Sequence, residues 1–367
     1  AWSGMIDVLQ AGIVIIIFLT PFLVEEDVGE SQKFSKRQLK KIALWCSVML
    51  VSLYLILTLT ILLESVDTIN FDAHELYGAP FILGFAAAML VYTRRRYSAK
   101  STLVVLSVTS LFSLMMAIFF SDTLGQDSST AISEYLDRGF IAWISLPMLL
   151  VLVAPLGFEV YSQFTKSGKT PFWQRIPVGA HLVHLGLVLL LIGHITTTVL
   201  VDRGDASHRI TLVKGELVIH DGYGFEFTDL VATEDNLEVG DGFVGVSITV
   251  YEMDGMEKQE IGVVEPGMLR FDKTGTARSE VDVLTRWSGD MVFIFDGTQA
   301  QGLMQQTSTD GLDSVNLVRV TIYDLPGSHL VWIGWSIMML GMLGVTYSGF
   351  VKNQSQRSTA PILAEQE

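Results

Sequence analysis

Seven apolar segments constrain the fold of this 367-residue chain more than any other feature of its sequence. They lie near 8–24, 42–63, 79–93, 102–120, 140–160, 177–201 and 329–351, and such lengths suit the roughly 30 Å hydrocarbon core of a bilayer. Only 17% of the residues are charged, whereas about 25% is usual for a soluble domain. The sequence predicts an α-helical polytopic membrane protein of about seven transmembrane helices, and excludes a cytosolic enzyme, a disordered chain and a disulfide scaffold.

The Lys and Arg residues of the short connecting segments are distributed unequally between the two ends of the spans. Fourteen of them lie on one side, after spans one, three, five and seven, whereas the opposite short loops hold only Arg138. Basic loops stay in the cytoplasm, so we expect a multi-pass protein of the cytoplasmic membrane, with the N-terminus outside and the C-terminus inside. Six of the seven Trp residues lie at or near span ends, as in an interfacial belt.

The segment 203–328 changes from a helical period to a period of two. Val244, Val246, Ile248 and Val250 alternate with smaller or polar residues, and Asp-Gly pairs at 221–222 and 241–242 predict turns. This segment carries a net charge of −13, nearly the whole −15 of the chain. It predicts an extracytoplasmic antiparallel β domain inserted before the last helix, most simply a docking or spacer module. Its histidines, His208 and His220, are isolated and are interpreted as surface residues.

The resulting domain plan has four parts. Residues 1–202 form a six-helix membrane domain, 203–328 the β domain, 329–351 the last transmembrane helix and 352–367 a cytoplasmic tail. The acidic balance of the chain disfavours nucleic acid as a partner.

Span six carries three histidines, His181, His184 and His194. Ionisable residues inside a span are costly and are functional candidates by default. His184 lies about 13 Å beyond Arg175 along the helix, and imidazole is a common ligand of haem iron that also suits zinc and copper. Gly186 leaves room for another helix or for a flat ring. The alternative is a neutral histidine hydrogen-bonded to a neighbouring helix, which we favour for His181 and His194; His74 is expected in a solvated outer loop.

Several stretches, taken in order, resemble the C-terminal half of the CcmF family, the membrane haem lyases of cytochrome c maturation. They are Phe-Ser-Lys-Arg at 34–37, Gly-Ala-Pro-Phe at 78–81, His-Leu-Gly at 184–186, Tyr-Gly-Phe-Glu-Phe at 223–227 and the segment from 323 to 334. The resemblance covers roughly 10–350. It implies that His184 is one axial ligand of a transmembrane b-type haem, and it assigns no catalytic residue.

The resemblance also implies partners. A haem chaperone of the CcmE type delivers haem, whose vinyl groups are joined to the two thiols of a Cys-x-x-Cys-His motif in apocytochrome c, handled by its own thiol-handling proteins. The bound haem b then serves as an electron relay that reduces the incoming iron. The family's Trp-rich haem-handling run, and the helix with the second ligand, are absent here. A split lyase, whose N-terminal CcmF-like half is a second polypeptide, explains this departure.

Other functions remain open at the level of sequence. One alternative is a haem-free membrane scaffold subunit, and another is a b-haem electron-transfer subunit of a respiratory complex. A transporter is weaker, because neither paired discontinuous helices nor an inverted repeat is visible. The sequence leaves open the second haem ligand, the electron donor, the stoichiometry and the roles of His74, His181 and His194.

Overall fold

A computed structural model describes residues 72–165, 176–233, 243–255, 257–271 and 276–363, together with the single positions Lys41, Val48 and Leu55. The chain divides into two compact units. One consists of residues 1–200 and 330–367, and the other is Val201–His329. The predicted spans 8–24 and 42–63 lie outside the described residues, apart from those single positions.

Apolar helices build the first unit. They are α1 (Asp72–Thr93), α2 (Ala99–Phe119), α3 (Arg138–Thr165) and α4 (Ile176–His194), which continues as a π-helical turn (Ile195–Val199), and α6 (Ser328–Leu363), which follows the second unit. Within the described residues, four helical stretches are long and apolar enough to cross a membrane: Ala99–Phe119, Arg138–Thr165, Val178–Val199 and Ser328–Ser348. The apolar stretch of α1, Gly78–Thr93, is shorter. The protein is therefore a membrane protein, and the predicted total of seven spans stays a prediction.

Helix α3 packs against α1, α2 and α4. Leu149, Leu152 and Leu156 on α3 are fully buried, together with Phe85 on α1 and Val188 on α4. At the other extreme, α2 is mostly exposed within this unit, as suits a helix that faces lipid. Its start is fixed by Ser98, whose side-chain oxygen accepts a hydrogen bond from the backbone N–H of Ser101.

The part of the second unit that the structure describes contains nine antiparallel strands. They are β1 (Arg209–Val213), β2 (Leu217–His220), β3 (Tyr223–Thr233), β4 (Phe243–Asp254), β5 (Glu257–Val264), β6 (Gly267–Phe271), β7 (Thr276–Arg286), β8 (Gly289–Phe295) and β9 (Leu317–Pro326). Their order in the sheet is β1-β9-β8-β7-β6-β4-β3-β2, and β5 pairs with β4. A short helix, α5 (Ala300–Asp310), connects β8 to β9.

The sheet nearly closes on itself. The backbone N–H of Gly215 donates to the carbonyl of Phe227 at 2.9 Å, which brings the end of β1 beside β3. Phe225, Phe227 and Phe293 are buried in the interior, where alternate residues of the strands meet. The predicted antiparallel β domain before the last helix is thereby confirmed, whereas the side of the membrane on which it stands stays a prediction.

One predicted turn has the backbone that its sequence suggests. His220 pairs with Tyr223 across the β2–β3 hairpin, and the two residues between them, Asp221 and Gly222, have φ values of 53° and 79°. Positive φ at both central positions is the geometry of a type I′ turn, which favours Asp-Gly. The second pair, at 241–242, lies outside the described residues.

Candidate functional site

Glycines allow the last helix to approach α4 closely. Gly186 on α4 faces Gly334 on α6, and Gly179 faces Gly341. A Cβ atom added at Gly186 would lie 2.5 Å from the carbonyl oxygen of Gly334, well inside van der Waals contact. The sequence allowed Gly186 to make room either for another helix or for a flat ring. The structure shows the first, because α6 occupies the space beside Gly186.

His184 projects from α4 toward α1. Its ring meets the ring of Tyr92 edge to face, with 5.7 Å between centroids. Its Nδ1 atom is buried and has no hydrogen-bond partner within the described part of the chain. A buried polar nitrogen without a partner costs free energy, and a metal or a bound group at this position would satisfy it. The residue therefore fits the role of a single imidazole ligand of haem iron.

His181, one turn earlier on α4, lies in a different environment. It is buried, and its Nε2 atom is 3.7 Å from Oε2 of Glu159 on α3. Glu159 is buried as well, and it also lies 3.1 Å from an Nη atom of Arg95 and 3.8 Å from one of Arg96. His181 thus lies beside a buried carboxylate of a neighbouring helix, in a cluster of ionisable side chains (called the ionic cluster below) that the sequence did not predict.

The ionic cluster and His184 are linked through Tyr92. The guanidinium carbon of Arg95 lies 4.5 Å from the centroid of the Tyr92 ring, a cation–π distance. The same Tyr92 ring contacts the ring of His184. Tyr92 therefore orients the imidazole of His184. Arg95 packs on the Tyr92 ring, and Glu159 contacts His181.

A second buried ion pair lies at the other end of α3. An Nη atom of Arg138 is 2.9 Å from Oε2 of Glu75 and donates a further hydrogen bond to the carbonyl of Val199 at 3.2 Å. Arg138 begins α3, and Glu159 lies 21 residues later, or about 31 Å along the helix. The two clusters thus mark the two ends of the helical unit.

No family model and no curated protein sequence matches this chain. A search of solved structures does find a match, to a protein described as "Cytochrome c Heme Lyase CcmF". The chain has a CcmF-like fold. The two structures agree with a TM-score of 0.52 and 14% sequence identity, over 84% of this chain and 45% of the CcmF chain. The chain therefore spans less than half the length of the protein that it resembles, and at this identity the likeness concerns the fold.

The other histidines fall in places that the sequence only partly anticipated. His74 lies in the first turn of α1 rather than in a loop, because that helix begins at Asp72. His208 is buried rather than on the surface, since its ring packs against Tyr323 at 4.9 Å between centroids. His220 is partly exposed, with Nε2 2.9 Å from a carboxylate oxygen of Asp221. His194 ends α4 at the start of the π-helical turn.

Sequence reasoning missed two features of the site. Glu159 is a lone carboxylate inside a predicted span, and the rule that singled out the histidines also applies to it. Arg138 was counted among the basic residues of the short loops, but it begins α3 and is only 1% exposed. Its partner Glu75 is distant in sequence, so the pairing could not be read from the spacing of the two residues. Within the described residues, no group of three or more His, Cys, Asp or Glu side chains could hold a metal ion.

Proposed function

We propose that this chain is a haem-lyase subunit of the CcmF type, acting in the attachment of haem to apocytochrome c, and that His184 is an axial ligand of a membrane b-type haem. The observation that carries the proposal is the CcmF-like fold over 84% of the chain. It is supported by the buried Nδ1 of His184, which has no hydrogen-bond partner within the described residues. A haem bound there would supply one-electron chemistry.

The environment of the histidines supports the choice of His184. The Nε2 atom of His181 faces the carboxylate of Glu159, and that carboxylate is in turn paired with Arg95. If Nε2 of His181 bound an iron, the buried Glu159 would have one partner fewer, which is unfavourable. His184 has no such competing ion pair in the described part of the chain, and the Tyr92 ring supports one side of its imidazole.

The second axial ligand comes from another helix. His181 and His184 are about 4.5 Å apart along one helix axis, and two such imidazoles cannot bind opposite faces of one iron. We propose that the ligand belongs to an N-terminal CcmF-like polypeptide with the Trp-rich haem-handling region.

The proposed complex receives haem from a CcmE-like chaperone and acts on apocytochrome c with its thiol-handling proteins. Each cysteine S–H adds across a haem vinyl C=C, so that sulfur bonds to carbon and the hydrogen goes to the neighbouring carbon, with no net redox change. In the proposed topology the acidic β unit stands on the outer side, where it docks these partners, and the membrane helices hold the haem.

A visible absorption spectrum of the complex tests this function. The chain is co-expressed with the N-terminal CcmF-like polypeptide and purified as wild type, His184→Ala and the matched control His181→Ala. We expect the wild type to show the reduced α and β bands of haem b. In His184→Ala both these bands and cytochrome c maturation should be lost, whereas His181→Ala should retain most of its haem. A full six-coordinate spectrum in His184→Ala would refute the assignment.

The same experiment separates the rival functions. A haem-free scaffold predicts no haem bands in any of the three proteins. A b-haem electron-transfer subunit of a respiratory complex predicts haem that quinol reduces, and cytochrome c maturation that does not require His184.

A further inference from the structure

The turn between β7 and β8 is fastened to the beginning of α6. The backbone N–H of Gly327 donates to the carbonyl of Ser288 at 2.8 Å, and the backbone N–H of Asp290 donates to the hydroxyl of Ser328 at 2.9 Å. On the following residue, Nε2 of His329 hydrogen-bonds the carbonyl of Arg286. The tip of this hairpin is therefore held beside the first residues of the last helix.

Arg286 braces the same turn from the sheet. Its guanidinium donates hydrogen bonds to the hydroxyl of Tyr223 and to a carboxylate oxygen of Asp324, and it also lies over the Tyr223 ring. These contacts join β7 to β3 and β9. The turn is thus a fixed part of the sheet, and the side chain at its tip is held in an exposed position by these contacts.

The residue at the tip of this turn is Trp287, and it is 94% exposed. A large aromatic side chain held almost wholly in water loses the burial that normally stabilises it. Trp287 is also the one tryptophan of the seven that does not lie near the end of a predicted span in the sequence. Its exposure is explained if it contacts something outside the protein.

The position of the turn along the chain indicates what that contact is. The apolar span of α6 begins at Ser328, the residue to which the turn is bonded. Trp332 and Trp335 follow within about 6 and 10 Å along the helix, and they are 66% and 50% exposed. The headgroup region on each side of a bilayer is roughly 5–8 Å thick. If α6 enters lipid at the start of its apolar span, the turn that is bonded to Ser328 is expected close to the membrane surface.

We propose that Trp287 is a membrane anchor of the β unit, and that its indole inserts among the lipid headgroups of the leaflet where α6 begins. Indole is the side chain most suited to this layer, because its ring is apolar and its N–H needs a hydrogen-bond acceptor. The segment 203–328 carries a net charge of −13. Attraction to anionic lipid would therefore not draw this unit toward the bilayer. The flanking helices tether it to the membrane, and the aromatic contact would fix its turn against the surface.

The test places a fluorescent probe beside the anchor in the full-length protein. Ser288→Cys is made in a Cys46→Ala background and labelled with an environment-sensitive dye, which leaves Trp287 and the carbonyl of residue 288 in place. The matched control is Asp310→Cys, an exposed residue of α5, which connects the other ends of β8 and β9. Both proteins are reconstituted in phosphatidylcholine liposomes, with and without lipid that carries a nitroxide on its headgroup.

We expect the nitroxide to quench the probe at residue 288 roughly twofold or more strongly than the probe at 310, because headgroup depth is where Trp resides. Adding Trp287→Ser should reduce the quenching at 288 to near the level at 310, whereas Trp287→Tyr should preserve most of it. Equal quenching at both positions, or quenching at 288 that is insensitive to Trp287→Ser, would overturn the proposal. In the first case the tryptophan contacts water or a protein partner that is missing from the liposomes.

Discussion

Arg138 and Glu75 form a buried ion pair at one end of the helical unit, with 2.9 Å between Nη1 and Oε2. Because Arg138 also donates to the carbonyl of Val199, the pair joins the beginnings of α1 and α3 to the π-helical turn after α4. Such a pair is stable only while both of its charges are present. Two charges that are paired and hydrogen-bonded are tolerated, whereas one charge left alone in this setting is not.

The first prediction follows from that asymmetry. Glu75→Leu alone should lower the free energy of unfolding by about 3 kcal/mol or more, because it leaves the Arg138 guanidinium buried without its carboxylate. Glu75→Leu combined with Arg138→Met should recover much of that loss. Thermal unfolding of the purified protein in detergent measures Glu75→Leu, Arg138→Met and the double variant. If the double variant is as unstable as the sum of the single variants, the pair contributes more than charge compensation.

A second prediction concerns the cluster near the proposed haem ligand. Glu159→Gln should destabilise the helical unit by about 3 kcal/mol, because Arg95 and His181 lose their shared carboxylate. Arg96→Gln is the matched control, since Arg96 is 59% exposed and contacts the same carboxylate at 3.8 Å, and exposed ion pairs contribute little. Thermal unfolding in detergent is the measurement. Equal effects of the two substitutions would contradict the importance of the buried part of the cluster.

A third prediction uses the close packing of α4 and α6. Gly186→Ala should lower the unfolding temperature, because the new methyl group would lie 2.5 Å from the carbonyl oxygen of Gly334 and would push the helices apart. Gly157→Ala on α3 is the matched control, since nothing lies within 4 Å of a Cβ built there. The control should be neutral or slightly stabilising, because Ala favours a helix over Gly by about 1 kcal/mol. The prediction fails if both variants behave alike.

Much of the architecture could be predicted from the sequence, for reasons visible in particular residues. Apolar length alone anticipates the helices from 99 to 119 and from 138 to 165, because lipid requires it. Period-two alternation anticipates β4, whose inward residues include Val250. The same signals apply to any sheet of this kind, so they do not give the strand order or its near closure at Phe227.

The site was less predictable, because it depends on pairs of residues that are distant in sequence. Glu159 and His181 belong to different helices, and only their packing brings them within 3.7 Å. Gly186 was noticed in the sequence, but its partner Gly334 lies on a helix separated from α4 by the whole β unit. His184 was identified from its position within a span, and its role as a haem ligand stays a proposal.

The last prediction concerns the orientation of the chain in the membrane. Fourteen basic residues lie in the short segments on one side, and the single one opposite, Arg138, is paired with Glu75. Because the excess of Lys and Arg decides which loops stay in the cytoplasm, the segment after α1 should be inside and the β unit outside. Single cysteines at Ala99 and Ser308, in a Cys46→Ala background, report the two sides. Ala99 is exposed, and its replacement preserves the Ser98 cap.

A membrane-impermeant thiol reagent added to intact cells should label the cysteine at 308 and spare the one at 99, which should react only after the membrane is opened. The reverse pattern would mean that the whole chain is inverted, and labelling of both residues from outside would mean that an odd number of spans does not separate them. Only the reverse pattern would also place the β unit away from the side on which the proposed partners are expected. Labelling of both residues from outside would contradict the three spans α2, α3 and α4 that lie between the two positions.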